Sequence, residues 1–227
     1  MLIRFDGRTA IVAGAARGIG QTIARSLAND GARVIACDLL VDDLAGLAGR
    51  VDGGGEIIAA KVDVTNEASI AEVVRAAGGA DILVYVAGGV RGQRPRPLEE
   101  VSADDFDAIV DANLKGAFLF IKAVAPGMKK KGTGRIVTIS SRAGLATSLT
   151  GIQSYPAAKH GQIGLVKQLA QELGPFGITV NTVAPGFMAT SPDYEGQWNN
   201  WPAAFATISS TRLRCGAWAR RRTSPMR

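Results

Sequence analysis

Histidine is nearly absent: His160 is the single one in 227 residues. Only two cysteines occur, Cys37 and Cys215, far apart and without ligand-type spacing. This scarcity excludes a zinc cluster, a disulfide framework and any catalytic triad that needs a second histidine. Long apolar runs are missing too. No stretch reaches about eighteen consecutive apolar residues, the length a membrane-spanning helix requires. The opening residues, MLIRFDGRTAIVAG, lack a charged leader followed by an apolar stretch and a cleavage site. A cytoplasmic location and no membrane partner are expected. Acidic residues are absent after Trp201, where six arginines stand (Arg212, Arg214, Arg220, Arg221, Arg222 and Arg227). They equal the whole formal net charge of +6, so the body before them is neutral. The basic pI belongs to the tail, and no nucleic-acid partner is expected.

Glycine and aliphatic residues are abundant. Glycine numbers 28 of 227, nearly twice the usual share of about 7%. With 47% hydrophobic and 20% charged residues the chain can bury a substantial core. Short apolar runs at 9–13, 32–37, 56–62, 81–86, 135–139 and 178–183 read as strands. They are almost continuously aliphatic, which signals a sheet covered on both faces and therefore parallel. Helical stretches alternate with them at 18–30, 42–50, 66–77, 103–131 and 154–173. Ser102 followed by Asp105 resembles a capping box, Thr65 is a plausible cap for the helix at 66–77, and Gly174-Pro175 stops the last helix. The expected fold is a doubly wound, Rossmann-like α/β sheet in one domain over 1–208, with an irregular Arg-rich tail at 209–227. Such sheets bind ligands beyond the carboxyl ends of their strands, so the residues after each strand carry the functional argument.

The first strand runs into Gly14-Ala15-Ala16-Arg17-Gly18-Ile19-Gly20 and then a helix. Glycines allow a pyrophosphate to approach the backbone, and the helix N-terminus offers free N–H groups and partial positive charge. The alternative is a glycine-rich turn without a ligand. Asp38 ends the second strand, where a carboxylate accepts the ribose hydroxyls of an adenosine and repels a 2′-phosphate; alternatively it caps the next turn. Leu39 offers no cation to a phosphate, whereas Arg17 does, and NAD is preferred over NADP on balance. Asp63 and Val64 follow the third strand and either reach an adenine edge or cap a turn.

Ser140 and Ser141 end the fifth strand, and Tyr155 and Lys159 stand four apart on a helix, hence on one face. A nearby cation favours a phenolate and brings the phenol towards use as an acid–base near neutral pH. Read together, AGAARGIG (13–20), Asp38, DV (63–64), ANLKGAF (112–118), GRIVTISSRAG (134–144), YPAAKHG (155–161) and VNTVAPGFMAT (180–190) resemble the short-chain dehydrogenase/reductase family.

That resemblance implies NAD(P)-dependent hydride transfer between a secondary alcohol and a ketone, without a metal. It makes Tyr155 the general acid–base and Ser141 the hydrogen-bonding partner of the substrate oxygen. Lys159 would hold the nicotinamide ribose and lower the Tyr155 pKa, while Asn113 anchors a water that relays protons to Lys159. Gly14, Arg17, Gly18, Ile19, Gly20, Asp38, Asp63, Val64, Ala87 and Gly88 complete the implied cofactor set. Pro185, Gly186 and Thr190 would position the carboxamide. The chain departs from the family at Ala13, usually threonine, and at Tyr85-Val86, where two asparagines usually tie the central strand. Ser141 precedes Tyr155 by 14 residues, one more than the commonest spacing.

His160 lies beside Lys159 and so faces elsewhere. Arg91, Arg94 and Arg96 either recognise an anionic substrate or form a solvated loop. Tyr194, Trp198, Trp201 and Phe205 either line a substrate lid or pack ordinarily. The tail after Ile208 reads as a frameshift, a truncation or a natural divergent end. It has no strand run, so six strands are expected where the family has seven, and a homodimer at most through the helices at 103–131 and 154–173. An NAD-dependent alcohol dehydrogenase or ketone reductase is the first functional reading. A non-catalytic dinucleotide-binding remnant of the same family is the second, and an interaction protein acting through the arginine tail is the third.

Overall fold

The computed structural model describes residues 3–148 and 150–186. Six strands run parallel: β1 (Thr9–Ala13), β2 (Arg33–Asp38), β4 (Glu56–Lys61), β5 (Ile82–Tyr85), β6 (Gly134–Ile139) and β7 (Ile178–Val183). A two-residue strand, β3 (Gly49–Arg50), pairs antiparallel with β4 at one edge. The sheet order is β3-β4-β2-β1-β5-β6-β7. Among the described residues the sheet thus has seven strands where six were expected, and the addition lies in a stretch read as helix over 42–50. A single 3-10 turn (Val41–Leu44) forms there instead. Gly49 has φ +127°, which a helix cannot use, and Val51 and Gly55 close a hairpin turn onto β4.

Alternate strand residues point to opposite faces, and each face has its own core. Ile11, Ala13, Ile35, Cys37, Leu83 and Tyr85 join one cluster; Ala10, Val12, Val34, Ala36, Ile82 and Val84 join the other. Helix α1 (Gly18–Asn29) packs on the second face through Ala24 and Ala28. On the first face lie α2 (Glu67–Ala76), α4 (Gly116–Lys131) and α5 (Ser154–Leu173), with Ile70, Phe120 and Val166 among their buried residues. The cap of α2 is Asn66, whose side chain accepts the Ser69 N–H, rather than Thr65, whose hydroxyl donates to Asp63. Ser102 caps α3 (Ala103–Val110) by accepting the Asp105 N–H, as its spacing implied. The long helix read over 103–131 divides into α3 and α4 around a π-helical turn, Asp111–Lys115. Such turns place one residue out of helical register, often at functional sites.

The chain passes from β1 outward through β2 and β4, then returns to the other side of β1 with β5. Strand order therefore reverses between β1 and β5, and the crevice for a ligand lies beyond their carboxyl ends. Among the described residues no helix is long and apolar enough to cross a membrane.

Candidate active site

The glycine turn after β1 is pressed against the loop after β5. Val86 and Ala87 both donate their N–H groups to the Ala13 carbonyl, at 2.8 and 2.9 Å. Gly14 has φ +86°, and a Cβ there would strike the Ala87 backbone; at Gly20 it would strike the Gly14 carbonyl. Gly18 is also left-handed, with φ +52°. Arg17 occupies the N-cap of α1 but provides no side-chain cap, so the first turn of that helix is open to an anion. This is a cradle whose shape only glycine permits, and it fits a dinucleotide pyrophosphate. Ile19 lies within the first turn of α1.

Asp38 closes the site on the β2 side. Its carboxylate accepts the Ala16 N–H at 3.0 Å and the Leu40 N–H at 3.1 Å, so it braces the glycine turn and caps its own. Arg17 does not stand free: its guanidinium pairs with Asp43 at 2.6 Å. Asp63 accepts both the N–H and the hydroxyl of Thr65, and these bonds hold its carboxyl below the usual carboxylate range. It is thus the turn cap that its position allowed. Val64 packs against the first-face core beside α4.

The loop after β5 meets the π-helical turn. Asn113, fully buried, accepts the Gly89 N–H and donates to the carbonyls of Gly89 and Ile109. Gly88 has φ +136°, and a Cβ on it would collide with the Asn113 side chain. Where the family usually has asparagine, Tyr85 is fully buried and its hydroxyl donates to the Ala112 carbonyl at 2.6 Å. The tie between central strand and π turn is present, made by a phenol. Burial pushes that phenol well above its ordinary value, so it stays neutral. Gly116 makes room, since a Cβ there would meet the Tyr85 hydroxyl.

The buried polar side chains among the described residues are Asn113, Thr138, Ser140, Ser154, Lys159 and Gln162. All belong to the π turn, the end of β6 or α5. Ser140 donates to the Lys159 carbonyl and fastens β6 to α5. Ser141 accepts the Ala143 N–H at 3.1 Å as it opens a 3-10 turn, Arg142–Gly144. Of the serine pair, Ser140 is therefore structural and Ser141 stands at the mouth. Tyr155 (6% exposed) and Lys159 (3%) share one buried face of α5, with the ammonium 5.8 Å from the phenol ring centre. Lys159 Nζ donates to the Ile139 carbonyl at 2.8 Å. Burial pushes its ammonium down to about 7, because the charged form loses its hydration. The Arg142 N–H donates to the Pro185 carbonyl, which draws Pro185-Gly186 beside the serine turn.

The structure thus gathers the glycine turn, Asp38, Ala87, Gly88, Asn113, Ser141, Tyr155, Lys159 and Pro185-Gly186 at the carboxyl ends of the strands. Thr190, the lid aromatics and the arginine tail lie outside the described residues. His160 is exposed and its ring bonds the Pro156 carbonyl at 2.9 Å, whereas Lys159 is buried. Arg96 pairs with Asp105 at 2.6 Å, and Arg91 lies near enough to Asp63 to help lower its carboxyl, which leaves Arg94 as the one of the three with no acidic partner among the described residues. Gln162 escaped the sequence reading. It extends the stripe of Tyr155 and Lys159 by three positions, so a polar residue on an inward face was the available signal.

A family model described as short chain dehydrogenase matches residues 8–200. The chain belongs to that family. An uncharacterized oxidoreductase of Bacillus subtilis is 41% identical over 188 residues, covering 81% of this chain and 72% of the relative. D-beta-hydroxybutyrate dehydrogenase of Rhizobium meliloti is 36% identical over 195 residues, with the same coverage of 81% and 72%. Among solved structures, a 3-oxoacyl-[acyl-carrier protein] reductase with bound NAD from Brucella melitensis superposes with a TM-score of 0.79 at 34% identity. That match covers 86% of this chain and 78% of the other. As a short-chain dehydrogenase the chain is an oxidoreductase that uses a nicotinamide dinucleotide and a small-molecule substrate.

Proposed function

We propose that this short-chain dehydrogenase interconverts a secondary alcohol and a ketone with NAD(H), using Tyr155 as general acid–base. The observation that carries this reading is the shared buried face of α5. It places a phenol and an ammonium within 5.8 Å, next to a strand that ends in Ser141. A bound nicotinamide supplies or accepts the hydride. Tyr155 gives the proton to the substrate oxygen during reduction and removes it during oxidation. Ser141 donates its hydroxyl to the same oxygen, and Lys159 stands beside the phenol on the same face of α5. Asn113 holds the loop after β5 in place, while the glycine turn and α1 receive the pyrophosphate.

Two features support NAD over NADP. Asp38 sets a carboxylate at the end of β2, and Arg17, the cation within the glycine turn, is engaged by Asp43. The related reductase carries NAD in its solved structure. The relatives' names put 3-oxoacyl and β-hydroxy acid compounds first among candidate substrates. The expected assembly is a homodimer through α4 and α5, with Phe118 exposed on α4.

Fluorescence titration and turnover on a ketone panel test the reading together. NADH should bind at least about tenfold more tightly than NADPH, equivalent to about 1.4 kcal/mol. Tyr155→Phe should lower turnover by about 10²–10⁴ while leaving NADH affinity intact. Equal affinity for both cofactors would overturn the preference. A parent protein that binds NADH and turns over nothing would favour the non-catalytic remnant.

A further inference from the structure

Arg17 and Asp43 stand 26 residues apart, yet the Arg17 guanidinium engages one oxygen of the Asp43 carboxylate twice. Its Nε donates to Asp43 Oδ2 at 2.8 Å, and Nη2 lies 2.6 Å from the same oxygen. Both side chains are exposed, 50% and 39%, so the pair adds little to stability. The backbone around it nevertheless holds the pair in place. Asp38 accepts the Ala16 N–H through one oxygen and the Leu40 N–H through the other. Ala16 precedes Arg17, and Leu40 opens the 3-10 turn that carries Asp43. Within that turn the Asp43 N–H donates to the Leu40 carbonyl at 3.1 Å, and Leu44 is fully buried in the second-face core. One carboxylate at the end of β2 thus sets the cation and its partner side by side. The neighbouring Asp42 makes no ion pair among the described residues.

We infer that Asp43 determines cofactor choice by withholding Arg17 from a 2′-phosphate, so that the chain carries a latent NADP(H) site which one carboxylate keeps shut. This rests on the NAD reading above and traces it to a residue outside both the glycine turn and the end of β2. The Nε–Nη2 edge of a guanidinium is a fork that takes a phosphate through two parallel bonds. In Arg17 that edge is occupied. A phosphate beside Asp38 therefore meets two carboxylates and a cation already neutralised, whereas a free 2′-hydroxyl needs nothing from Arg17. Without the Asp43 carboxylate the guanidinium remains at the N-cap of α1 with both donors released.

Fluorescence titration of the full chain with NADPH and NADH tests this without any turnover. Asp43→Ala should tighten NADPH binding at least about tenfold, equivalent to about 1.4 kcal/mol, and hold NADH affinity within about twofold. Asp42→Ala removes the same charge one residue away and should leave the ratio of the two affinities at the parent value. In an Arg17→Ala background, Asp43→Ala should bring no NADPH gain, because no cation remains to be released. Unchanged NADPH binding in Asp43→Ala overturns the inference, as does an equal gain in Asp42→Ala or a gain that survives the loss of Arg17. Weaker binding of both cofactors by Asp43→Ala would make the residue a structural brace and also overturns it. A parent that binds the two cofactors equally refutes the NAD reading, and the inference falls with it. A parent that prefers NADH while Asp43→Ala behaves as the parent refutes the inference alone.

Discussion

Lys159→Met isolates the cost of keeping an ammonium in the interior. Methionine fills most of the same space and carries no charge. The parent ammonium is pushed from 10.5 to about 7 by burial alone. Between those values the folded protein binds fewer protons than the unfolded chain, so parent stability rises as pH climbs from about 7 towards 10. Below about 7 the full penalty applies. At about 1.4 kcal/mol per pH unit the interval amounts to about 5 kcal/mol. Against this, the variant leaves the Ile139 carbonyl without its donor, which costs about 1–3 kcal/mol. A net gain of about 2–4 kcal/mol follows at or just below pH 7, equivalent to roughly 4–16 °C in Tm for a chain of this size. The assay is thermal unfolding of parent and variant without cofactor, from pH 6 to 9.5. The variant should be the more stable at pH 6, and its advantage should shrink steadily as the pH rises. Turnover should fall by about 10²–10⁴ over the same range. A variant no more stable than the parent at pH 6, or an advantage independent of pH, would refute the reasoning.

Asp81 accepts the Thr9 N–H at 2.9 Å and pairs with Lys131 at 3.1 Å. Burial raises its carboxyl, but the Thr9 N–H, Lys131 and Arg8 outweigh this and hold it below the ordinary value. Stability from such a group is present above the unfolded value and is lost as pH falls through the folded one. Asp81→Asn should therefore cost about 1–2 kcal/mol at pH 7 in denaturant unfolding, with the difference fading below about pH 4; a pH-independent difference would count against it. Tyr85→Phe strands the Ala112 carbonyl and should lower stability by about 1–3 kcal/mol, and equal stability would show that the phenol tie is idle. Light scattering after size exclusion should give a dimer, which Phe118→Glu dissociates; a monomeric parent would remove the α4 interface.

The doubly wound sheet was legible because aliphatic strands and amphipathic helices alternate with clear periods. The Tyr155–Lys159 face and the glycine turn were legible because helix spacing and glycine geometry are local properties. Three features were not. The hairpin at β3 depends on Gly49 adopting a left-handed angle within a stretch of acceptable helix composition. The π turn depends on Tyr85 and Gln162 claiming two successive carbonyls from distant parts of the chain. Arg17 reads as a phosphate ligand until Asp43, 26 residues away, is seen to hold it.

The pairing of β1 with β5 also sets when the site can exist. The Thr9–Asp81 bond closes a loop of 72 residues, and the glycine turn acquires its facing wall only once that loop is closed. Closure of long loops is slow relative to local helix formation, so nucleation is expected first among shorter-range contacts. A chain emerging from the ribosome as far as β4 already carries every glycine of the turn, yet it has no Ala87 backbone to press them into shape. The shape of the glycine turn therefore depends on residues more than a third of the way along the chain, and a segment that ends before Ala87 lacks the wall that holds it.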